Sequence, residues 1–319
     1  MHVLDAAATR RLLPFDALLE AIADGFRSDC EVPLRHHHDL PNDEEEDASL
    51  LLMPAWWRQG YGGVKLVNVV PGNAARGLAA ISASYILFDR ATGEHLMLLD
   101  GGELTARRTA AASALAARML ARRDSRTLLV IGAGRVGRNL PYAYRAALPI
   151  EKVLVFNRTV SRADALVADL RADGIDAALC TDVVAGIREA DIVSCATLSK
   201  TPVIRGAWLA PGQHIDLIGS FTPAMREADD QAIREAAVYI DTEHAVVESG
   251  DIAIPMASGA LRQSDIAGTL AQLCRREIAG RSGPQEVTLF KSVGSALEDL
   301  ATAALAYRHT LASAKAGPA

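Results

Sequence analysis

The sequence predicts an α/β protein in which a Rossmann-type, doubly wound parallel sheet is combined with a discontinuous α+β domain. The first observation is an apolar run at residues 128–131 that ends in the glycine motif Gly132-Ala-Gly134-Arg-Val-Gly137. The second is a regular alternation of short apolar strands and helical segments over residues 127–242. The third is a β-rich stretch with frequent turns in the first hundred residues, where strands and helices do not alternate as they do over residues 127–242.

Composition narrows the class of protein. The chain has 319 residues, half of them hydrophobic and 23% charged, and a length that favours two domains. A formal charge of −6 with scattered basic residues argues against nucleic-acid binding. No signal peptide or long apolar segment is evident, and four widely spaced cysteines indicate reduced thiols, so we expect a cytoplasmic protein with no membrane partner.

The first unit begins with an amphipathic helix, because apolar residues recur at helical spacing from Phe15 to Phe26. A charged loop at residues 42–47 follows, and then β-rich runs at 63–73 and 81–101, whose turns predict an antiparallel sheet. The alanine-rich stretch 104–125 predicts a long helix. Residues 287–312 predict a short strand and a final helix that returns to this unit, while the last few residues should fray.

The predicted domain boundaries follow from the switch between the β-rich pattern and the alternation of strands and helices. Residues 1–115 and 300–319 form the α+β domain, and residues 116–299 form the Rossmann domain. The strands predicted in the second domain lie at 127–132, 152–157, 191–197, 214–220 and 237–242, with helices after Gly137 and at 162–173. Release of a stable fragment of residues 1–115 alone would argue against the discontinuous domain.

The glycine motif predicts a dinucleotide site. Gly132 allows the tight strand-to-helix turn, Gly134 lets the backbone approach a pyrophosphate, and Gly137 lets helix pack on strand. Arg135 and Val136 complete this loop. The structural context that the motif requires is present, since a strand precedes it and a second strand follows at the expected distance.

The end of the second strand favours NADP(H), with NAD(H) as the alternative. Asn157, Arg158 and Thr159 stand where an NAD-specific protein carries an acidic residue, so nothing there repels a 2′-phosphate and Arg158 can pair with it. Asn157 could equally accept an NAD ribose, with Arg158 in solvent. Further along, Thr197, Leu198, Gly219 and Phe221 follow two strands at their carboxyl ends, so we expect them beside the nicotinamide.

Three basic residues outside the nucleotide domain lie in apolar or turn-like stretches: Arg35, Lys65 and Arg108. Taken singly, each fits a surface cation as well as a ligand. Five blocks resolve the choice: residues 65–73, 87–120, 130–137, 219–227 ("GSFTPAMRE") and 288–300 ("TLFKSVGSALEDL"). Through them the chain resembles the ornithine cyclodeaminase and mu-crystallin family.

The resemblance implies a domain that binds substrate and forms a homodimer, and a Rossmann domain that holds NAD(P). It implies that Arg35, Lys65 and Arg108 grip the substrate carboxylate, and that Ser292, Val293 and Gly294 line the nicotinamide pocket. For the last three, a tight turn that needs Gly294 is an equal explanation. Lys65 and Arg108 are the predicted catalytic residues, and Lys65 is expected to assist proton transfer.

One departure from the family pattern selects the reaction. The family's cyclodeaminases carry an acid/base aspartate where this chain has Phe221, and a phenyl ring cannot move protons. The sequence is similar to the branch that reduces cyclic imines. We therefore expect NAD(P)H-dependent reduction of Δ1-pyrroline-2-carboxylate to L-proline, and of Δ1-piperideine-2-carboxylate to L-pipecolate.

Three other functions remain open at this point: an alanine or other amino-acid dehydrogenase, an ornithine cyclodeaminase, and a non-catalytic NADPH-binding protein of the crystallin type. Metal binding by His36, His37 and His38 is disfavoured, because consecutive residues cannot share one face, and a polar loop is expected instead. Trp56 and Trp57 fit packing or an interface, and Cys195 a small apolar wall.

Overall fold

The computed structural model describes residues 1–42 and 46–316, and these divide into two compact units. The first consists of Met1–Arg108 and the residues from Ser295 onward, and the second is Thr109–Gly294. Residues 43–45 of the predicted acidic loop and 317–319 of the predicted frayed end lie outside the described residues. The domain boundaries predicted at residues 115 and 300 stay a prediction, which limited proteolysis can test.

The elements follow one another in a mixed order. Up to residue 120 they are β1 (His2–Leu4), α1 (Ala6–Arg11), α2 (Phe15–Arg27), β2 (Cys30–Glu31), β3 (His36–Leu40), β4 (Ala48–Trp57), β5 (Tyr61–Val69), β6 (Ile81–Asp89), β7 (His95–Asp100) and α3 (Gly101–Leu120). Then come β8 (Thr127–Ile131), α4 (Leu140–Ala147), β9 (Lys152–Phe156), α5 (Val160–Ala172), β10 (Asp176–Leu179), α6 (Val183–Glu189), β11 (Ile192–Cys195), β12 (His214–Leu217), α7 (Asp230–Glu235), β13 (Ala237–Ile240), α8 (Ala245–Glu248), α9 (Gly250–Ser258), β14 (Ile266–Thr269), α10 (Leu270–Arg275), β15 (Thr288–Lys291) and α11 (Ala296–Ala316). Short 3₁₀ turns lie at Pro71–Arg76, Gly206–Trp208 and Gln263–Asp265.

The first unit is built on a mixed sheet in the order β1-β7-β6-β5-β4-β2, with β3 also paired to β4. The predicted antiparallel pairing holds from β4 to β7, while β1 adds in parallel to β7. Lys65 of β5 lies directly between Met53 of β4 and Tyr85 of β6. All three side chains are buried, so this row belongs to the core face of the sheet.

Two helices pack together in the core of this unit. The apolar face of α2 is buried at Leu18, Leu19 and Ile22, as its helical spacing predicts. Gly25 lets α2 approach α11, because a Cβ at Gly25 would lie 3.1 Å from the Cβ of Ala301. Helix α11 also packs on strands β4 to β7, which brings it over the core face of the sheet.

The second unit is a parallel sheet in the order β10-β9-β8-β11-β12-β15-β13-β14. The strand order reverses between β8 and β11, which is where ligands bind in doubly wound sheets. The predicted α/β fold class is confirmed. The hydrophobic pattern did not predict β10 and β14 as strands, nor the position of β15 between β12 and β13.

One local expectation was wrong. His36–Leu40 forms an edge strand rather than a polar loop, because its backbone pairs with Leu52–Ala48 of β4. The helix predicted after Gly137 is present, and it begins at Leu140 after a series of turns in which Arg138 N–H donates to the Gly134 carbonyl. Among the described helices, none combines the length and hydrophobicity needed to cross a membrane.

Candidate active site

The glycine loop of the second unit has the geometry that a dinucleotide turn requires. Gly132 adopts a φ of +109°, and a Cβ there would lie 2.5 Å from the Ala196 carbonyl oxygen. A Cβ at Gly137 would overlap the Gly132 carbonyl oxygen. Only glycine fits at both positions, so the first and third glycines are required by the turn itself.

The middle of the loop is open. A Cβ at Gly134 would meet no atom within 4 Å. Within residues 1–42 and 46–316, no protein group accepts a hydrogen bond from the backbone N–H of Gly134, Arg135 or Val136. Unpaired N–H groups beside a glycine with open space fit the oxygens of a pyrophosphate.

The end of β9 contains no acidic side chain. Asn157 Oδ1 accepts from the Ala133 N–H at 3.1 Å, and its amide nitrogen donates to the Thr159 carbonyl at 2.9 Å. Asn157 therefore braces the glycine loop through its amide. Arg158 and Thr159 are exposed, so both side chains are accessible to a ligand.

The carboxyl ends of β11 and β12 are joined by a residue that no sequence motif predicted as part of the site. Thr197 and Gly219 both donate backbone N–H groups to the buried carboxylate of Glu227, each at 2.7 Å. Leu198 and Phe221, in contrast, project large apolar side chains that are 71% and 44% exposed. These two side chains give the strand ends an apolar surface.

The turn after β15 is held by a second buried acid that was not predicted. Asp241 Oδ2 accepts from the N–H groups of Val293 and Gly294 at 2.7 and 2.6 Å and from the Ser292 hydroxyl at 3.2 Å. Gly294 has a φ of +84°. The structure thus supports the tight-turn interpretation of this segment, and Ser292 directs its hydroxyl to Asp241 rather than to solvent.

In the first unit, Lys65 and Arg108 meet at one carboxylate. Lys65 Nζ lies 2.7 Å from Asp299 Oδ2, and Arg108 Nε donates to Asp299 Oδ1 at 2.9 Å. Arg108 also donates to Glu298 Oε2 at 2.8 Å. All four side chains are at least nine-tenths buried, so this is a built cluster rather than a set of surface ion pairs.

The local sequence explains why Lys65 lies inside. Strand β5 alternates, so Gly63, Lys65 and Val67 share the buried face, whereas Leu66 is 39% exposed. This places a lysine inside and a leucine outside, which is the reverse of ordinary patterning. A Cβ at Gly63 would overlap the Tyr85 ring, so glycine makes room for the tyrosine beside Lys65.

Electrostatics set the protonation of this cluster. Burial lowers the pKa of Lys65 to about 8, and the charges of Arg108 and Arg35 act in the same direction while Asp299 opposes them. Burial alone would raise the pKa of Asp299, but Lys65 and Arg108 hold it below its usual value. Half-buried Arg35 belongs to the same neighbourhood, since its charge acts on Lys65.

The three cations predicted from the sequence therefore act on one another, and the structure adds Glu298 and Asp299. The available signal was an acidic pair inside the apolar helix stretch 296–306, where every neighbouring residue is small or apolar. Among the described residues, no group of three or more His, Cys, Asp or Glu side chains is arranged to hold a metal ion, the His36–His38 run included.

Comparison with known proteins places this geometry in a family. The model of the ornithine cyclodeaminase/mu-crystallin family matches residues 2–314. The chain belongs to this family. The resemblance found in the sequence motifs is thus confirmed over almost the whole length.

Individual relatives of this family member are similar along nearly their full lengths. A Δ1-pyrroline-2-carboxylate reductase of Paracoccus denitrificans is 40% identical over 283 residues, which cover 85% of this chain and 89% of the relative. The Thermococcus litoralis enzyme of the same name, solved with NADH and L-proline, superposes with a TM-score of 0.91 at 32% identity and covers 98% of both chains. An archaeal alanine dehydrogenase dimer with bound NAD gives a TM-score of 0.90 at 28% identity, covering 98% of this chain and 97% of the other.

Proposed function

We propose that this protein reduces Δ1-pyrroline-2-carboxylate to L-proline with a reduced nicotinamide dinucleotide, and Δ1-piperideine-2-carboxylate to L-pipecolate by the same chemistry. The observation that carries the proposal is the buried cluster in which Lys65 and Arg108 share Asp299. Relatives at 40% and 32% identity that are named for this reaction support it.

Binding of the substrate carboxylate is assigned to the basic side chains of the first unit. Arg108 offers a planar guanidinium whose orientation is fixed by Glu298 and Asp299, and Arg35 adds a second guanidinium. A rigid, desolvated cation binds a carboxylate more strongly than a surface arginine does. It has little hydration water to release and little side-chain conformational entropy to lose on binding. We therefore assign Arg35, Lys65 and Arg108 to the carboxylate of the imine.

The proton is assigned to Lys65. When bound, the reduced nicotinamide supplies a hydride that forms a C–H bond at C2 of the ring while the C=N π electrons move to nitrogen. The nitrogen then needs a proton, and a buried ammonium with a pKa of about 8 is a suitable donor near neutral pH. Lys65 Nζ is left as an amine, which solvent reprotonates before the next turnover.

Phe221 is the residue that favours imine reduction over cyclodeamination. Its phenyl ring offers no proton at the point where family cyclodeaminases carry an aspartate, and together with Leu198 it presents apolar surface. For this reason we propose reduction without loss of ammonia.

The deciding experiment measures oxidation of NADPH and of NADH by the purified protein with Δ1-pyrroline-2-carboxylate, in parallel with pyruvate plus ammonia and with ornithine. We expect turnover of the cyclic imine alone. Turnover of pyruvate plus ammonia, without the imine, would move the assignment to an amino-acid dehydrogenase. That second candidate is favoured by the alanine dehydrogenase, which has the same fold at a TM-score of 0.90. Ammonia release from ornithine without added reductant would indicate a cyclodeaminase.

The pH profile provides a prediction about Lys65. Its pKa is lowered to about 8, so the ammonium is present below that pH and is lost as the pH rises through it. We expect kcat/KM for the imine to fall about tenfold per pH unit above pH 8, since both the proton and a carboxylate-binding charge disappear. Lys65→Arg keeps its charge at all these pH values, so any decline that remains in this variant reports the titration of the substrate itself. An unchanged profile in Lys65→Arg would contradict the assignment.

Cofactor preference depends on Arg158. We propose that NADP(H) is preferred over NAD(H), because no acidic side chain lies at the end of β9 and exposed Arg158 can reach a 2′-phosphate there. Arg158→Ala should lower kcat/KM with NADPH by roughly tenfold or more, the value of one charge-assisted hydrogen bond, and leave the value with NADH unchanged. Equal losses with the two cofactors would show that Arg158 does not contact the phosphate.

We also propose that the protein is a homodimer formed through the first unit. Leu34, Leu40 and Leu66 of this unit expose between 39% and 63% of their surface, so large apolar side chains are available for an interface. The alanine dehydrogenase of the same fold is described as a dimer. Sedimentation equilibrium of the purified protein tests this assembly, and a monomer at micromolar concentration would contradict it.

A further inference from the structure

Glu227 is a fully buried carboxylate that joins two strand ends of the second unit. Its Oε1 accepts from both the backbone N–H and the hydroxyl of Thr197, at 2.7 and 2.8 Å. Its Oε2 accepts from the Gly219 N–H at 2.7 Å. One side chain therefore holds the second residue after β11 and the second residue after β12, through three donors to its two oxygens.

These contacts fix Thr197 completely. Its hydroxyl proton is directed to Glu227, and its hydroxyl oxygen accepts weakly from the Ser199 N–H at 3.3 Å. Thr197 also packs against glycines on both sides. A Cβ at Gly132 would lie 3.4 Å from the Thr197 γ-methyl, and a Cβ at Gly219 would overlap the Thr197 backbone. Glu227 thus sets the position of a residue that contacts the dinucleotide loop.

Glu227 is itself held in place from behind. Asp251 Oδ1 accepts from the backbone N–H groups of Glu227 and Ala228 at 2.7 and 3.0 Å. Lys291, which is also fully buried, lies 3.4 Å from Asp251 Oδ2. The segment that carries Glu227 is therefore fixed by buried charges, and the carboxylate does not need to reorganise when a ligand binds.

The place of Thr197 and Gly219 in the sheet indicates which part of a dinucleotide they face. The strand order reverses between β8 and β11, and a dinucleotide lies across that point. The adenosine ribose belongs at the end of β9, so the nicotinamide half extends over the ends of β11 and β12.

We propose that Glu227 is a positioning residue for the nicotinamide half of the cofactor, acting through Thr197 and Gly219. The inference rests on the proposed use of a nicotinamide dinucleotide, but not on the identity of the imine. Glutamine at residue 227 would retain the shape of the side chain but offer only one acceptor oxygen, so at least one donor of the Thr197–Gly219 pair would face an NH₂ group. The nicotinamide half would lose its fixed support, whereas the adenosine half would not.

The test compares two ligands on two variants. NADH contains both halves of the dinucleotide, and ADP-ribose lacks the nicotinamide. For Glu227→Gln we expect the Kd of NADH to rise about tenfold, as for loss of a buried hydrogen bond to a charged group, and the Kd of ADP-ribose to change less than twofold. Asp216→Asn is the matched control, because Asp216 of β12 is equally buried and accepts from Tyr144 of α4 and from Ser194 of β11. Asp216→Asn should lower the melting temperature and change the Kd of NADH and the Kd of ADP-ribose by the same factor.

Each outcome decides the inference. Equal weakening of NADH and ADP-ribose by Glu227→Gln, or a pattern identical to that of Asp216→Asn, would overturn it, since Glu227 would then only stabilise the unit. If Glu227→Gln does not fold, Thr197→Val removes the hydroxyl and keeps the N–H, and an unchanged NADH affinity in that variant would overturn it as well. Selective loss of NADH by a protein that turns over no imine would support the inference while the proposed substrate fails.

Discussion

Lys65→Met should lower kcat/KM for Δ1-pyrroline-2-carboxylate by about a thousandfold, because one substitution removes a proton donor and a carboxylate-binding charge. Methionine has a similar length and suits the buried face of β5, where Met53 and Tyr85 flank the position. The side chain therefore fits the site, and Asp299 keeps Arg108 as a counter-charge after the change. Steady-state kinetics with the imine and a melting curve measure the two effects separately.

Cofactor affinity provides the control for Lys65→Met. The glycine loop belongs to the second unit, so the Kd of NADH should stay within about twofold of wild type, well below the tenfold that one lost hydrogen bond to a charged group produces. Full turnover by Lys65→Met would exclude Lys65 from catalysis. Retained turnover with a raised KM would support a role of Lys65 in binding the substrate carboxylate and would assign proton donation to another group.

Asp299→Asn should have the largest effect on stability. Asp299 is the shared counter-charge of Lys65 and Arg108, and all three are buried. Removing one charge of such a cluster costs about 3 to 5 kcal/mol of unfolding free energy, since the remaining charges stay desolvated without compensation. Denaturant unfolding measures this loss directly.

The same substitution should change the pH limit of activity, which is the pH above which kcat/KM begins to fall. Asp299 raises the pKa of Lys65, so its neutralisation lowers that pKa further, and the decline in kcat/KM should begin below pH 8. Glu298→Gln is the matched control, because Glu298 pairs with Arg108 whereas Asp299 contacts both cations. We expect Glu298→Gln to reduce stability and leave the pH limit near 8. Identical pH profiles for the two variants would contradict a direct action of Asp299 on Lys65.

The sequence predicted the fold class and the glycine loop because their signals are local. Gly132, Gly134 and Gly137 follow a strand at fixed spacing, and the alternation of strands and helices is visible in hydrophobic periodicity alone. The strand formed by His36–Leu40 was missed for the opposite reason. Its polar residues pair with β4 at an exposed edge, where no apolar alternation is required.

The buried acids could not be assigned from the sequence, because each acts on residues far away along the chain. Asp299 meets Arg108 across 191 positions, and Asp241 meets Gly294 across 53. A carboxylate in an apolar helix shows that some buried cation exists, but it does not say which one. Glu227 lies at the end of the segment 219–227 that resembles the family, but only the geometry shows that it joins the ends of β11 and β12.

The discontinuous first unit has a consequence for synthesis on the ribosome. Lys65 and Arg108 emerge early, whereas Asp299 emerges only after the whole of Thr109–Gly294 has been translated. Nascent chains fold progressively from the amino terminus, but here the early half lacks its counter-charges until the last helix leaves the exit tunnel. The nucleotide unit is therefore complete first, and a chain stalled or truncated before α11 would leave two cations unneutralised and the core face of the first sheet uncovered.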